Sequence, residues 1–182
     1  MSRYIIHDVK HWRHIRGKAY FLDANIWILR LDSPLHPQPY EEQYLAFFDQ
    51  LIEHDCKIVV CPVLISEVLN TYLRLEFDQI RRIQPTFNYK KDYCSSPAFH
   101  NRFQTFRSEF DSYKPFLQPI HDDYDSVLSL QQMQAQDDFN DFYYANLCGS
   151  RHYPIVTHDR DFQYPGVEVI TNNKALLRGR YA

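Results

Sequence analysis

Glycine is scarce: four residues in 182, against fourteen tyrosines and thirteen phenylalanines. That balance excludes a disordered or low-complexity chain and points to a well-packed globular core. No charge sign dominates. The formal charge is −3, so no global basic field advertises a nucleic acid, and any such surface has to be local. Cysteine is sparse and scattered (Cys56, Cys61, Cys94 and Cys148), with no C-x-x-C pair and no zinc-finger spacing with histidine. Cys56, Cys61 and Cys148 sit in or beside apolar runs, which reads as buried free thiols in a reducing compartment. Long apolar runs are missing too. No stretch approaches the ~20 residues of a membrane span, and SRYIIHDVKHWRHIRGK lacks the uninterrupted apolar core of a signal peptide. The expectation is a cytoplasmic protein with no membrane partner, long enough for one domain.

What is present alternates between short apolar runs and helical patterns. KAYFLD (18–23) reads as a strand ending at Asp23, KIVVCP (57–62) as a second, and YPIVTHD (153–159) and VEVIT (167–171) as two more, with a short one within 116–123. Helical patterns start near Asn25, a capping residue type, and cover 40–55, 63–83, 99–113, 124–134 and 137–149, the last stopped by Gly149. Nearly all-apolar strands alternating with helices predict an α/β fold. The expected architecture is three-layer α/β/α on a central, mostly parallel sheet of four to five strands. The chain reads as a single domain, 1–182. Its core is about 18–171, with a helical insertion at 84–116 and an N-terminal extension at 1–17. In that extension His7, His11 and His14 share a helical spacing. Three imidazoles on one face can hold a metal, but no acid or cysteine completes a set, so a solvated or docking helix is expected.

In open parallel sheets the site lies beyond the carboxyl ends of the strands. Asp23 ends the first strand. Glu67 lies in the first turns of the helix after the second. Asp159 and Asp161 follow PIVT. Asp137, Asp138 and Asp141 open the helix that leads into that strand. Each of these acids has a plain structural reading as a helix-dipole partner, a cap or a turn residue. Asp23 is the exception, because an apolar run supplies no reason for it beyond capping the helix near Asn25. Carboxylates gathered at one edge repel and rise in pKa unless a cation neutralises them. Mg²⁺ or Mn²⁺ takes such oxygen ligands, usually keeping water and a substrate phosphate, and polarises a phosphoryl oxygen. The implied chemistry is metal-assisted phosphodiester hydrolysis.

FLDANIWI (21–28), CPVLISEVLN (61–70), NDFYYANLC (140–148) and PIVTHDRDF (154–162) resemble the four successive motifs of PIN-domain ribonucleases, with VapC-like toxins of toxin–antitoxin pairs the nearest flavour. The resemblance spans about residues 18–171. It implies Mg²⁺- or Mn²⁺-dependent endonucleolytic cleavage of RNA. Catalytic, metal-holding acids would be Asp23, Glu67, Asp141 and Asp159. Asn25 and Thr157 would support them, with Asp138 and Asp161 in reserve. It also implies an RNA substrate and allows an antitoxin protein or a second copy of the chain as partner. The bulky FYY after Asp141 and the long insertion depart from the pattern.

Arg74 lies seven residues after Glu67 on the same helix face. It can meet a substrate phosphate or pair with an acid, and the ion pair is the plainer expectation. In the insertion, aromatics interleave with Lys90, Lys91, Arg102 and Arg107, which suggests stacking on single-stranded RNA. The four–three spacing of Phe99, Phe103, Phe106, Phe110 and Tyr113 favours a buried face or an oligomer contact instead. Two other functions remain open. A haloacid-dehalogenase-like phosphatase would use Asp23 as nucleophile, but wants an acid where Asn25 stands. A non-catalytic PIN-like RNA-binding module would not need all four acids.

Overall fold

The computed structural model describes residues 5–13, 16–120, 132–133 and 137–178. Six short strands are present: β1 (Ile5–Asp8), β2 (Ala19–Leu22), β3 (Lys57–Val60), β4 (Leu117–Pro119), β5 (Ile155–Val156) and β6 (Glu168–Thr171). They form one sheet in the order β1-β6-β5-β2-β3-β4, and every neighbouring pair is parallel. Among the described residues, six α-helices accompany them: α1 (Ala24–Leu31), α2 (Pro39–Glu53), α3 (Pro62–Ile83), α4 (Pro97–Ser112), α5 (Phe139–Arg151) and α6 (Lys174–Arg178).

The central strand β2 explains the layering. Tyr20, Phe21 and Leu22 are all fully buried, as a parallel strand covered on both faces requires. Successive side chains of a strand point to opposite faces. Tyr20 meets Phe47 of α2, centroids 6.0 Å apart, and Phe21 meets Tyr144 of α5 at 4.8 Å. Helices therefore cover both faces, and the architecture is the three-layer α/β/α fold expected, on a parallel sheet. The sheet has six strands, one more than the upper expectation of five.

That strand is β1, where the sequence suggested a solvated or docking helix. Ile6 is buried and pairs with Val169 of β6. A β-branched Ile5-Ile6 pair beside an open sheet edge outweighs the histidine spacing. His7 lies 3.1 Å from Glu168, though off the line of a hydrogen bond, and its ring meets Trp12 edge-on at 4.7 Å. His14 lies outside the described residues. So do the rest of the strand region expected at 116–123 beyond Ile120, and nearly all of the helix expected at 124–134.

A second correction concerns Gly149. It does not stop α5, which continues to Arg151. His152 ends it in the left-handed conformation, φ 56°, with Tyr153 N–H donating to Cys148 O at 3.0 Å. A Schellman-type closure thus works here without glycine. Cys56, Cys61 and Cys148 are buried free thiols, as expected. No helix among the described residues is long and apolar enough to cross a membrane.

The 84–116 segment is ordered in its first half as well as in its helix. Asn88 caps a π-helical turn, Tyr89–Tyr93, by accepting from the amides of Lys90 and Lys91. Around it, Leu73, Phe77 and Tyr93 form a separate buried cluster with Phe87, Tyr89, Phe99 and Phe103 packed against them. The rest of the stripe joins the main core: Phe106 lies against Tyr72, and Phe110 and Tyr113 against Trp27. The stripe therefore packs inward within this chain. Arg102 belongs to the packing too. Its guanidinium sits 3.5 Å over the Tyr72 ring and pairs with Asp32 at 2.9 Å.

Candidate active site

Sheet order puts β2 between β3 and β5. From β2 the chain runs outward one way through β3 and β4, and the other half of the sheet, β5 and β6, lies on the opposite side. The crevice beyond the carboxyl ends of β2 and β5 is therefore the topological switch point, the usual place for a ligand in such sheets. Asp23 directly follows β2, and Thr157 directly follows β5.

Asp23 is 5% exposed. It is both the helix cap that its position allowed and something more. Its Oδ1 accepts from Ala24 N at 2.6 Å, capping α1. Its Oδ2 accepts from Thr157 Oγ1 at 2.6 Å and from Asn25 Nδ2 at 2.5 Å. Asn25 is thus not the cap. It lies inside the first turn and ties two segments together, its Oδ1 accepting from His158 N at 3.2 Å. Thr157 is fully buried, and its hydroxyl also accepts from Asp159 N at 3.0 Å. Burial pushes the Asp23 carboxyl up to about 6, against the pull of the Thr157 hydrogen bond, and Glu67 and Asp159 push the same way.

The other three acids reach the same place. Asp23, Asn25, Glu67, Thr71, Asp141 and Asp159 line one pocket of about 360 Å³. Glu67, Asp141 and Asp159 continue into a neighbouring cavity of about 560 Å³ that also holds Asp137, Asp138, Asp161 and Tyr164. Asp141 is half-buried, and no donor among the described residues bonds to its carboxylate. Burial raises it to about 7, with Asp23 and then Asp159 the chief negative neighbours. Asp138 is the N-cap of α5, accepting from Asn140 N and Asp141 N, as its place before a helix allows. Asp161 lies on the exposed rim, paired with Arg160 at 3.4 Å, and donates its backbone N–H to Asp159 Oδ1 at 2.9 Å.

Two contacts at Glu67 were not legible beforehand. Tyr144 Oη donates to Glu67 Oε2 at 2.6 Å, and Asn140 Nδ2 donates to the same oxygen at 2.9 Å. Asn140 and Tyr144 stand four apart on α5, so they share a face. The signal was the bulky FYY: its last tyrosine brings a hydroxyl through an apolar helix face to an acid on α3. Tyr44 is a second unforeseen support. Its buried hydroxyl donates to Thr157 O at 3.1 Å and accepts from Asn172 N at 2.6 Å. Burial pushes that phenol up to about 12, so it stays a donor.

Arg74 makes no ion pair among the described residues, so the plainer expectation for it does not hold. Its guanidinium lies 4.9 Å over the Tyr89 ring. No group of three or more His, Cys, Asp or Glu side chains among the described residues already forms a metal-binding set.

No family model and no curated protein matches the sequence. Solved structures do share the fold. VapBC2 from Rickettsia felis, crystallised bound to a DNA fragment from its promoter, matches with a TM-score of 0.52 at 14% identity, over 83% of this chain and 96% of that one. PAE2754 from Pyrobaculum aerophilum matches with a TM-score of 0.50 at 17% identity, over 89% of this chain and 95% of that one. At these identities the likeness is one of fold.

Proposed function

We propose that this protein is an Mg²⁺- or Mn²⁺-dependent endoribonuclease, the toxin of a toxin–antitoxin pair. The observation that carries this reading is the meeting of Asp23, Glu67, Asp141 and Asp159, from four separated stretches, on one pocket at the switch point of the sheet. The fold shared with VapBC2 supports the toxin assignment, and with it an antitoxin partner.

The donor type suits a hard divalent cation, which would have to draw these acids closer than they stand, since no three of them among the described residues are grouped to hold one. The set offers oxygen ligands only, and two of the four carboxylates are raised by burial and by neighbouring acids, a repulsion that a cation relieves. Asp23 and Asp141 would be the main ligands, with Glu67 and Asp159 binding through water or orienting the attacking water. When bound, the cation supplies charge neutralisation and polarises a phosphoryl oxygen. The chain's own part is to hold these acids still. Thr157 and Asn25 fix Asp23 through Oδ2. Thr157 also anchors the Asp159 backbone. Tyr144 and Asn140 fix one oxygen of Glu67.

This arrangement disfavours the phosphatase reading. Asn25 donates to Asp23 where that chemistry wants an acid.

The test is direct. Purified protein is incubated with structured and unstructured RNAs in Mg²⁺, Mn²⁺ or EDTA, with Asp23→Asn and Asp141→Asn alongside. Metal-dependent cleavage that both variants lose by about a thousandfold is the expected result. Hydrolysis of a phosphomonoester instead, or RNA binding without turnover in any metal, overturns it.

A further inference from the structure

We propose that a single-stranded RNA substrate runs from the acid pocket along the outer face of α3, where Arg74, set on the Tyr89 ring, takes a neighbouring phosphate. This rests on the nuclease reading and extends it to the strand's path and to one use of the 84–116 insertion.

The path begins in a third cavity of about 560 Å³, whose lining includes Ser66, Glu67, Asn70, Thr71, Arg74 and Asn140. It shares Glu67 and Asn140 with the large acid cavity and Thr71 with the inner pocket, so the three adjoin. Ser66, Asn70 and Arg74 fall four apart, on one helix face. Glu67 and Arg74 are separated by about 10 Å of helix axis. Over that distance the lining changes from acid to neutral amide and hydroxyl, and then to a cation. A strand with one phosphate at the acids would meet hydrogen-bonding groups next and a positive charge after them.

Arg74 is built for this rather than merely present. It is exposed and without an ion pair among the described residues. The Tyr89 ring beneath it is itself seated edge-on against Phe77 at 5.0 Å and tilted against Tyr93 at 5.6 Å. Stacking restrains the guanidinium while leaving its planar fork of N–H donors for bidentate contact with phosphate. The turn that carries Tyr89 places Lys90 and Lys91 next, both exposed. They add exposed positive charge on the turn that carries Tyr89, beside Asp92 of the same turn. Asp23 is 5% exposed, so a scissile phosphate has to be carried into the crevice, which a bendable single strand does more readily than a stiff duplex.

The test measures binding apart from chemistry. Anisotropy of a fluorescein-labelled, unstructured RNA is followed with the full chain in EDTA, over a series of KCl concentrations. Repulsion by the unneutralised acids is common to all proteins and cancels in the comparison. Arg74→Gln is expected to weaken binding about tenfold and to lower the salt slope by about one. Arg74→Lys should fall between. Tyr89→Phe should match wild type and Tyr89→Leu should not, with thermal unfolding checking that each variant folds. Unchanged affinity and slope in Arg74→Gln overturns the proposal, as does an equal loss for a duplex of the same sequence. The two readings fail separately. Cleavage in metal with binding indifferent to Arg74 removes the strand path and keeps the nuclease. Binding that needs Arg74 without cleavage in any metal removes the nuclease and keeps the path.

Discussion

The acid pocket beyond β2 and β5 and the aromatic cluster of the 84–116 segment are built from opposite materials. The pocket draws side chains from four distant stretches and joins them by hydrogen bonds, Thr157 to Asp23 and Tyr144 to Glu67. The cluster is local: Phe77, Phe87, Tyr89, Tyr93 and Phe99 meet ring to ring within a short span of chain. Gathered acids cost stability, because like charges are held together and partly out of water. Gathered rings supply stability through buried area and edge contacts. The molecule therefore separates the place that must bear strain from the place that helps offset it. Arg74 on Tyr89 is where the two meet.

The largest effect should come from breaking the ring cluster. Phe77 is 5% exposed and touches three aromatic neighbours. Phe77→Ala should lower unfolding free energy by about 3–5 kcal/mol, read by urea titration. Cleavage at saturating RNA by the protein that remains folded should change little, any loss falling on RNA affinity through the seat of Tyr89. A stability loss below about 1 kcal/mol would mean that the cluster is decorative. The pocket should respond in the opposite way. Thr157→Val keeps the volume and removes the hydroxyl that serves Asp23 and Asp159. Cleavage should fall about 10–100-fold, as for other groups that orient metal ligands. Thr157→Ser should recover most of it. Equal activity in Val and Ser variants would show that the hydroxyl is idle.

The same contrast explains what could be read beforehand. The three-layer fold and the meeting of Asp23, Glu67, Asp141 and Asp159 at one edge of the sheet were legible, because apolar strands report their own burial and the acids stand at strand ends and in the first turns of helices. The inward packing of Phe99 to Tyr113 was legible for the same reason of periodicity. The strand Ile5–Asp8 was not. It is four residues long, polar at one end, and depends on pairing with β6 across almost the whole chain. The end of α5 was missed because a His152 in left-handed conformation replaces the glycine that local rules favour. Tyr144 stands out in the sequence as part of the bulky FYY, but its role does not. Its partner, Glu67, is 77 residues away, and nothing local to α5 announces it.

A milder break of the pocket tests that tyrosine. Tyr144→Phe leaves the ring on Phe21 and removes one of the two donors to Glu67 Oε2. Cleavage should fall about tenfold, the size of one hydrogen bond to a charged group, with the melting temperature nearly unchanged. If Glu67→Gln and the double variant Glu67→Gln/Tyr144→Phe lose activity to the same extent, Tyr144 acts through Glu67. Additive losses would place it elsewhere.

The smallest effect is the most diagnostic of what the pocket costs. Asp141 and Asp23 have ordinary values of 3.8 and are raised in the folded chain to about 7 and about 6. Between pH about 4 and about 7 the folded state then binds more protons than the unfolded one, so stability falls as pH rises and levels off above the folded values. Asp141 is the one to change, since no hydrogen bond to its carboxylate is lost. Asp141→Asn should melt a few degrees above wild type at pH 8 in EDTA, and the gap should close near pH 4, where both forms are neutral. Mg²⁺ or Mn²⁺ should raise the wild-type melting temperature at pH 8 and do so much less for the variant. A variant no more stable than wild type at pH 8 would mean that the acids do not repel one another across the pocket, and the comparison with the aromatic cluster would lose its strained member.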